Sequence, residues 1–209
     1  MIVEREVVGS FAVNSYLLAC PESKEAALID PGGPLPTIGA RIARDGLQVR
    51  FILLTHGHVD HVAGLPEAHR KWPEARCYLH AADRPLFAAV AMQAAMFGLQ
   101  VAPVEVAVAP LAEGEVVQVG RLALHCWHSP GHSPGHLVFH LPAERVLFSG
   151  DLLFARSVGR TDLPGGDQGQ LMASLARVMA LPEETVVYCG HGPQTRIDAE
   201  RRSNPYVRR

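Results

Sequence analysis

The stretch that most limits what this chain can become is Thr55-His56-Gly57-His58-Val59-Asp60-His61. Three histidines and an aspartate fall within six positions, directly after the apolar run Phe51-Ile52-Leu53-Leu54. A short β-type run that stops at such a cluster calls for a strand delivering polar side chains to the edge of a sheet. The same construction recurs three times. Leu122–His128 leads into Ser129-Pro130-Gly131-His132-Ser133-Pro134-Gly135-His136, Arg145–Ser149 into Gly150-Asp151, and Thr185–Cys189 into Gly190-His191-Gly192. Glycine and proline in these loops allow the tight turns that would aim the clusters at one point.

Residues two apart on an extended or tightly turning backbone point the same way, so His56 and His58 could share one cation. Asp60 and His61 lie beyond the turn and could serve a second. Imidazole with carboxylate suits zinc, iron or manganese. The four cysteines, Cys20, Cys77, Cys126 and Cys189, form no CxxC pair, so a structural thiolate site is not indicated. Two cations about 3.5–4 Å apart hold a shared hydroxide at neutral pH and polarise a carbonyl. Such a site needs about seven ligands with a carboxylate as bridge, and the four clusters supply enough. From spacing alone, either His132 or His136 could ligate.

Around these loops the chain reads as strands with helices between. Further β-type runs are Glu6–Val8, Ser15–Ala19, Ala26–Ile29, Arg76–Leu79, Val116–Val119 and Leu137–His140. Helical spacing sets Ile38, Ile42 and Ala43 on one face of a helix that stops at Gly46. Ala63–Lys71, Ala81–Phe97 and Asp167–Pro182 are further helix candidates, the last with a stripe of Leu171, Leu175, Val178 and Met179. Strands outnumber helices, which predicts an α/β or α+β sandwich with sheets inside and helices outside. No linker or repeat divides the 209 residues, so 1–209 reads as a single domain.

Composition narrows the partners. A net charge of -2 gives no overall pull toward nucleic acid or acidic membranes. The long apolar stretch Pro85–Val104 carries Gln93 and Gln100 and is broken by Gly98 and Pro103, a poor membrane span. It fits a core helix, a homodimer surface or an acyl-binding wall. Charge interrupts the opening Met1-Ile2-Val3-Glu4-Arg5, which does not read as a secretory leader, and widely spaced cysteines suit a reducing cytoplasm. The basic tail Arg201–Arg209 reads as a solvated end.

Taken in order, "THGHVDH", "SPGHSPGH", "SGD" and "CGHG" resemble the metallo-β-lactamase superfamily over nearly the whole chain. The resemblance implies a four-layer αββα sandwich with metals at one edge of the paired sheets. It implies one divalent ion on His56, His58 and His132, another on Asp60, His61 and His191, and Asp151 as bridge. Asp60 and Asp151 are thus the expected catalytic carboxylates, and His136 becomes a hydrogen-bonding support. Ile29-Asp30-Pro31-Gly32-Gly33 looks like an early loop of the same superfamily, with Asp30 backing a ligand. Zinc is the expected ion, with iron or manganese as alternatives.

Asp151 separates branches, because the di-zinc β-lactamases carry cysteine or serine at the bridging position; antibiotic hydrolysis is therefore disfavoured. His58 stands where the flavodiiron branch has glutamate. "SVGRTDLPGGD" at 157–167, with "VVYCGHGPQT" and "ERRSNPY", resembles small glyoxalase II-like hydrolases. The implied activity is a hydroxyacylglutathione hydrolase-like thioesterase on S-D-lactoylglutathione or related small-molecule acyl-thioesters, by attack of a bridging hydroxide on the carbonyl. With few residues after His191, the helical domain that holds glutathione in full-length glyoxalase II is expected to be missing or vestigial, which moves the expectation from the glutathione arm to the thioester. Arg160 and Asp162 either shape the substrate mouth or form a local ion pair. The alternatives are a persulfide dioxygenase with one iron on His56, His132 and Asp151, and a lactone hydrolase. His69, His80, His125, His128 and His140 are expected away from the site, and Cys189 as a buried thiol.

Overall fold

The computed structural model describes residues 1–207, so the last two arginines of the basic tail lie outside the described residues. The chain opens with β1 (Ile2–Val8), β2 (Val13–Ala19) and β3 (Glu25–Ile29), paired antiparallel. Then come α1 (Pro36–Asp45), β4 (Gln48–Leu53), α2 (Val59–Val62), α3 (Leu65–Lys71) and β5 (Arg76–Leu79). A 3-10 turn at Ala81–Asp83 leads into α4 (Arg84–Ala88) and α5 (Val90–Met96), and β6 (Ala109–Pro110) completes a sheet ordered β1-β2-β3-β4-β5-β6. Strands β7 (Val116–Val119), β8 (Leu122–His128), β9 (Leu137–Leu141) and β10 (Val146–Gly150) begin the second sheet. A small ribbon of β11 (Leu153–Phe154) and β12 (Ser157–Val158) and helix α6 (Gln168–Val178) precede β13 (Val186–Cys189), β14 (Thr195–Arg196) and α7 (Ile197–Ser203). The second sheet runs β14-β13-β10-β9-β8-β7.

Alternation along the strands produces the layers. On β2, Val13, Leu17 and Ala19 pack toward Ile38 and Ile42 of α1 and Leu65 of α3, while Tyr16 and Leu18 face the second sheet. On β10, Val146 and Phe148 meet that same inner core, and Leu147 packs against Leu171, Leu175 and Val178 of α6. Strands covered on both faces need apolar residues at both parities, which is why β2 is buried from end to end. Three apolar cores thus separate four layers, the αββα sandwich the sequence implies. Each fully buried leucine contributes roughly 2 kcal/mol of transfer free energy to this packing.

Four local features differ from the sequence reading. Ala81–Phe97 is not one helix: Pro85 starts α4, and Ala89 leaves helical geometry at φ -93°, ψ 12° before α5. Continuous apolar content hid the bend, because a segment that is apolar all round shows no stripe to interrupt. The candidate helix Ala63–Lys71 begins only at Leu65, after Gly64. The β11–β12 ribbon was not expected, being two residues per strand around Arg156 at φ 62°. Helix α7 escaped notice because "IDAERRS" carries a single apolar anchor, Ile197. Its acidic first turn and basic last turn are the signal that marks it. No helix among the described residues is long and apolar enough to cross a membrane.

Candidate metal centre

The four sequence clusters meet at the end of the sandwich where the two sheets are stitched together. The Leu137 N–H donates to the Thr55 carbonyl at 2.7 Å, and the Asn14 N–H donates to the Gly190 carbonyl at 2.7 Å. The Tyr16 hydroxyl donates to the Cys189 carbonyl at 2.6 Å. Just past β3, Asp30 fixes the turn that follows β4: its carboxylate accepts from the Thr55 N–H at 2.7 Å and the Thr55 hydroxyl at 2.6 Å. Beyond β13 the chain passes close to the second carboxylate. A Cβ on Gly190 would lie 2.1 Å from Asp151 Oδ1 and 2.9 Å from His61 Cε1, so this position requires glycine.

Donor atoms of His56, His58 and His132 lie within 4.8 Å of one another, and all three residues are buried. His58 presents Nδ1, 2.9 Å from His132 Nε2. Asp60, His61 and His191 make a second such group, and His56, His61 and Asp151 a third. Asp151 stands between the first two. Its Oδ1 is 3.2 Å from His61 Nε2, and its Oδ2 is 3.6 Å from His132 Nε2 and 3.5 Å from His191 Nε2. Asp60 Oδ2 is 3.2 Å from His191 Nε2. All seven residues that the sequence nominated as ligands are therefore brought together.

The outward nitrogens are anchored. His61 Nδ1–H donates to Asp30 at 2.9 Å, His132 Nδ1–H to the Arg160 carbonyl at 2.8 Å, and His191 Nδ1–H to the Phe11 carbonyl at 3.1 Å. This turns the three Nε2 atoms toward the centre. His56 Nε2 is buried there with no hydrogen-bond partner, and His61 Nε2 and Asp151 Oδ1, also buried without a well-formed hydrogen bond, face each other as an ion pair at 3.2 Å. Such an orphan costs about 1–3 kcal/mol. A cation satisfies all of them, so the donor set fits a metal.

The two halves differ in charge. Burial and the neighbouring imidazoles hold His56 well below its ordinary value, and burial with His132 pulls His58 down to about 3. Their lone pairs are free for a cation. For His61, burial works downward, but the Asp151, Asp60 and Asp30 carboxylates outweigh it and hold the ring well above its ordinary value. His191 behaves alike: burial lowers it, and hydrogen bonds to Asp151 and Asp60 raise it to about 9. Burial raises Asp151, yet His61 and His191 hold it well below the usual carboxylate range, and Asp60 is lowered on the same balance. Protons here stand where cations would neutralise two carboxylates.

The remaining nominated residues separate by role. His136 is fully buried, and its Nε2 accepts from the Asp151 N–H at 3.0 Å, a contact that steadies the Asp151 backbone. Arg160 lines the cavity over the cluster. Its guanidinium grips Asp162 through two hydrogen bonds of 2.6 and 2.7 Å, and Asp162 itself is not among the lining residues. His80 stacks on His128 and His140 packs against Trp127, away from the centre. Burial pushes the Cys189 thiol up to about 12, which suits a structural residue. Sequence reasoning missed the Phe11 and Arg160 carbonyls, because every residue carries one. It also passed over Asp83 and Gln93. Of the apolar segment flagged for a dimer or acyl wall, Phe97 reaches the cavity and Met92 and Met96 are exposed.

Comparison with known proteins agrees with this geometry. The family model "Metallo-beta-lactamase superfamily" matches residues 8–191. The chain is 35% identical over 212 residues to hydroxyacylglutathione hydrolase GloC of Haemophilus influenzae, covering 99% of this chain and 98% of the relative. Among solved structures, TTHA1623 in a di-iron-bound form is similar with TM-score 0.88 and 40% identity, covering 97% of this chain and 99% of that one. BLEG-1 B3 metallo-beta-lactamase is similar with TM-score 0.90 and 34% identity, covering 99% of each chain.

Proposed function

We propose that this chain, which belongs to the metallo-beta-lactamase superfamily, is a two-metal thioesterase acting on S-D-lactoylglutathione or related acyl-thioesters. The observation that carries the reading is Asp151, shared between a group of three buried imidazoles and a group built on Asp60, His61 and His191. In this reading His56, His58 and His132 would hold one divalent ion and Asp60, His61 and His191 the other, with the Asp151 carboxylate lying between the two groups. Zinc is the expected ion, and iron or manganese also suits these donors; the di-iron form of a 40% identical neighbour supports keeping iron in view. Two ions so held supply a nucleophile from water at neutral pH and stabilise the oxyanion of a carbonyl under attack.

The chain's own residues position and enclose. Asp30 and the carbonyls of Phe11 and Arg160 keep His61, His191 and His132 aimed inward. The cavity above them, about 350 Å³, is walled by Phe11, Val59, Phe97, Phe154, Val158 and Leu163, which shield an acyl group from bulk water. The Gln93 amide is engaged with the Val59 N–H and the Gly57 and Leu86 carbonyls, so it offers the substrate no proton. Thioester cleavage tolerates that. Water oxygen bonds to the acyl carbon, the C–S bond breaks and sulfur leaves with the bonding pair as thiolate, its thiol having a pKa of about 8.5. One water proton stays on the carboxylic acid product and the other passes to solvent.

The test is metal analysis of the purified protein beside three assays: S-D-lactoylglutathione loss, oxygen uptake with glutathione persulfide, and hydrolysis of a chromogenic cephalosporin. Two metals per chain with thioester loss is the expected result. One iron with oxygen uptake would replace the reading by a dioxygenase. Cephalosporin turnover without thioester loss would replace it by the activity that names BLEG-1.

A further inference from the structure

Asp83 is fully buried, lies outside the ligand set, and is the third residue of the 3-10 turn before α4. A carboxylate in such a place costs several kcal/mol unless it is paired or hydrogen-bonded. Its Oδ2 accepts from the Gly57 N–H at 2.9 Å and the Ser133 hydroxyl at 2.7 Å, and its Oδ1 accepts from the Gly135 N–H. Gly57 is the peptide between His56 and His58. Ser133 and Gly135 follow His132 closely in the same loop. A single carboxylate therefore ties together the two loops that supply the three-imidazole group.

Gln93 of α5 works on the same peptide from its other side. Its Nε2 donates to the Gly57 carbonyl at 3.2 Å, and its Oε1 accepts from the Val59 N–H at 3.0 Å. Gly57 is thus held at its N–H by Asp83 of the 3-10 turn and at its carbonyl by Gln93 of α5. The approach leaves no room for a side chain: a Cβ on Gly57 would meet the Asp83 carbonyl at 2.9 Å and Phe87 N at 3.0 Å. The second ligand group relies on other supports, Asp30 for His61 and the Phe11 carbonyl for His191.

We infer that Asp83, assisted by Gln93, is the positioning residue of the His56–His58–His132 cradle and sets metal affinity there without touching the ion. The inference rests on the two-metal reading. Its test isolates the cradle in an Asp60→Ala background and the other site in a His132→Ala background. Metal-stripped proteins, with and without Asp83→Asn, are titrated with Zn²⁺ against a chelating indicator. Loss of ligand-orienting contacts typically lowers metal affinity about 10–100-fold; a loss of that order is expected at the cradle and none at the other site. A lower melting temperature with unchanged affinity would make Asp83 merely structural and overturn the inference, as would equal losses at both sites. Should Asp83→Asn fail to fold, Gln93→Ala carries the comparison, with the same selective loss expected and the same refutations. Absence of Zn²⁺ binding by the unsubstituted protein would instead overturn the two-metal reading itself.

Discussion

Asp30→Asn tests whether the centre is organised by hydrogen bonding rather than by the ligands alone. Asp30 is 2% exposed and has φ 50°. Asparagine tolerates that left-handed conformation as readily as aspartate, so the exchange leaves backbone strain unchanged and isolates the carboxylate. The carboxylate accepts from the Thr55 N–H, the Thr55 hydroxyl and His61 Nδ1–H. An amide has one acceptor oxygen for the two positions. If its NH2 turns toward Thr55 N, two N–H groups abut; if it turns the other way, it faces His61 Nδ1–H and presses that ring toward the tautomer whose Nε2 carries the proton. Either arrangement leaves a buried donor unpaired and removes a charge-assisted bond, a loss of about 2–4 kcal/mol. For a chain of this size roughly 2–4 °C accompanies each kcal/mol, so the metal-stripped variant should melt roughly 5–15 °C lower. Metal affinity at the Asp60–His61–His191 site should fall about tenfold or more. Circular dichroism melts and chelator competition read both quantities. A variant that melts within about a degree of the parent and binds metal equally would refute the reasoning.

Asp60→Ala should reduce bound metal from two ions to one and abolish thioester hydrolysis; two ions retained by elemental analysis would contradict its place beside His191 at 3.2 Å. His132→Ala should lose metal while His136→Ala keeps it, since His136 spends its Nε2 on the Asp151 N–H; equal losses would undo the assignment. The His191 ring, raised to about 9 from an ordinary 6.5, gives the metal-stripped protein stability that is complete below pH 6.5 and is lost as pH rises toward 9. Metal binding needs the neutral ring, so the loaded protein should gain on the stripped one across that window. Paired melts from pH 6 to 9.5, with and without chelator, should show the gap widening, and a constant gap would contradict the coupling.

What the sequence made legible was what it encodes locally. His56 and His58 sit in the loop after β4 and Asp60 and His61 in α2 just beyond it, and the loops of His132, Asp151 and His191 each follow their own strand. Strand-end logic therefore finds the clusters, while the resemblance was needed to choose His132 over His136. A sandwich with helices outside was legible from strands outnumbering helices, whereas the four-layer αββα arrangement was implied only by the resemblance to the metallo-β-lactamase superfamily. Asp83 was not legible, because its partners lie 26, 50 and 52 residues away and no local pattern announces a carboxylate that serves two distant loops. The Arg160 carbonyl beneath His132 was hidden for a different reason: backbone acceptors carry no residue identity.

The same division governs selectivity. Ligands stand on strand ends fixed by ladders, whereas the wall residues Phe154, Ser157 and Val158 ride on a ribbon of two-residue strands. That ribbon is held from α7, where Glu200 accepts from the Arg156 N–H at 2.8 Å and the adjacent Asn204 amide donates to the Ser157 carbonyl at 3.1 Å. Glu200 and Asn204 are both buried, and neither reaches the cluster. The opposite wall, Phe97 with Phe11 at 5.1 Å between rings, comes from the end of α5 and the turn before β2. The Phe97 and Val158 side chains take no part in the hydrogen bonds that aim the ligands, which come from Asp30 and from the Phe11 and Arg160 carbonyls. Exchanges at Phe97 or Val158 should therefore alter what the cavity admits and leave the metal count as it was, and loss of bound metal in either variant by elemental analysis would contradict this division.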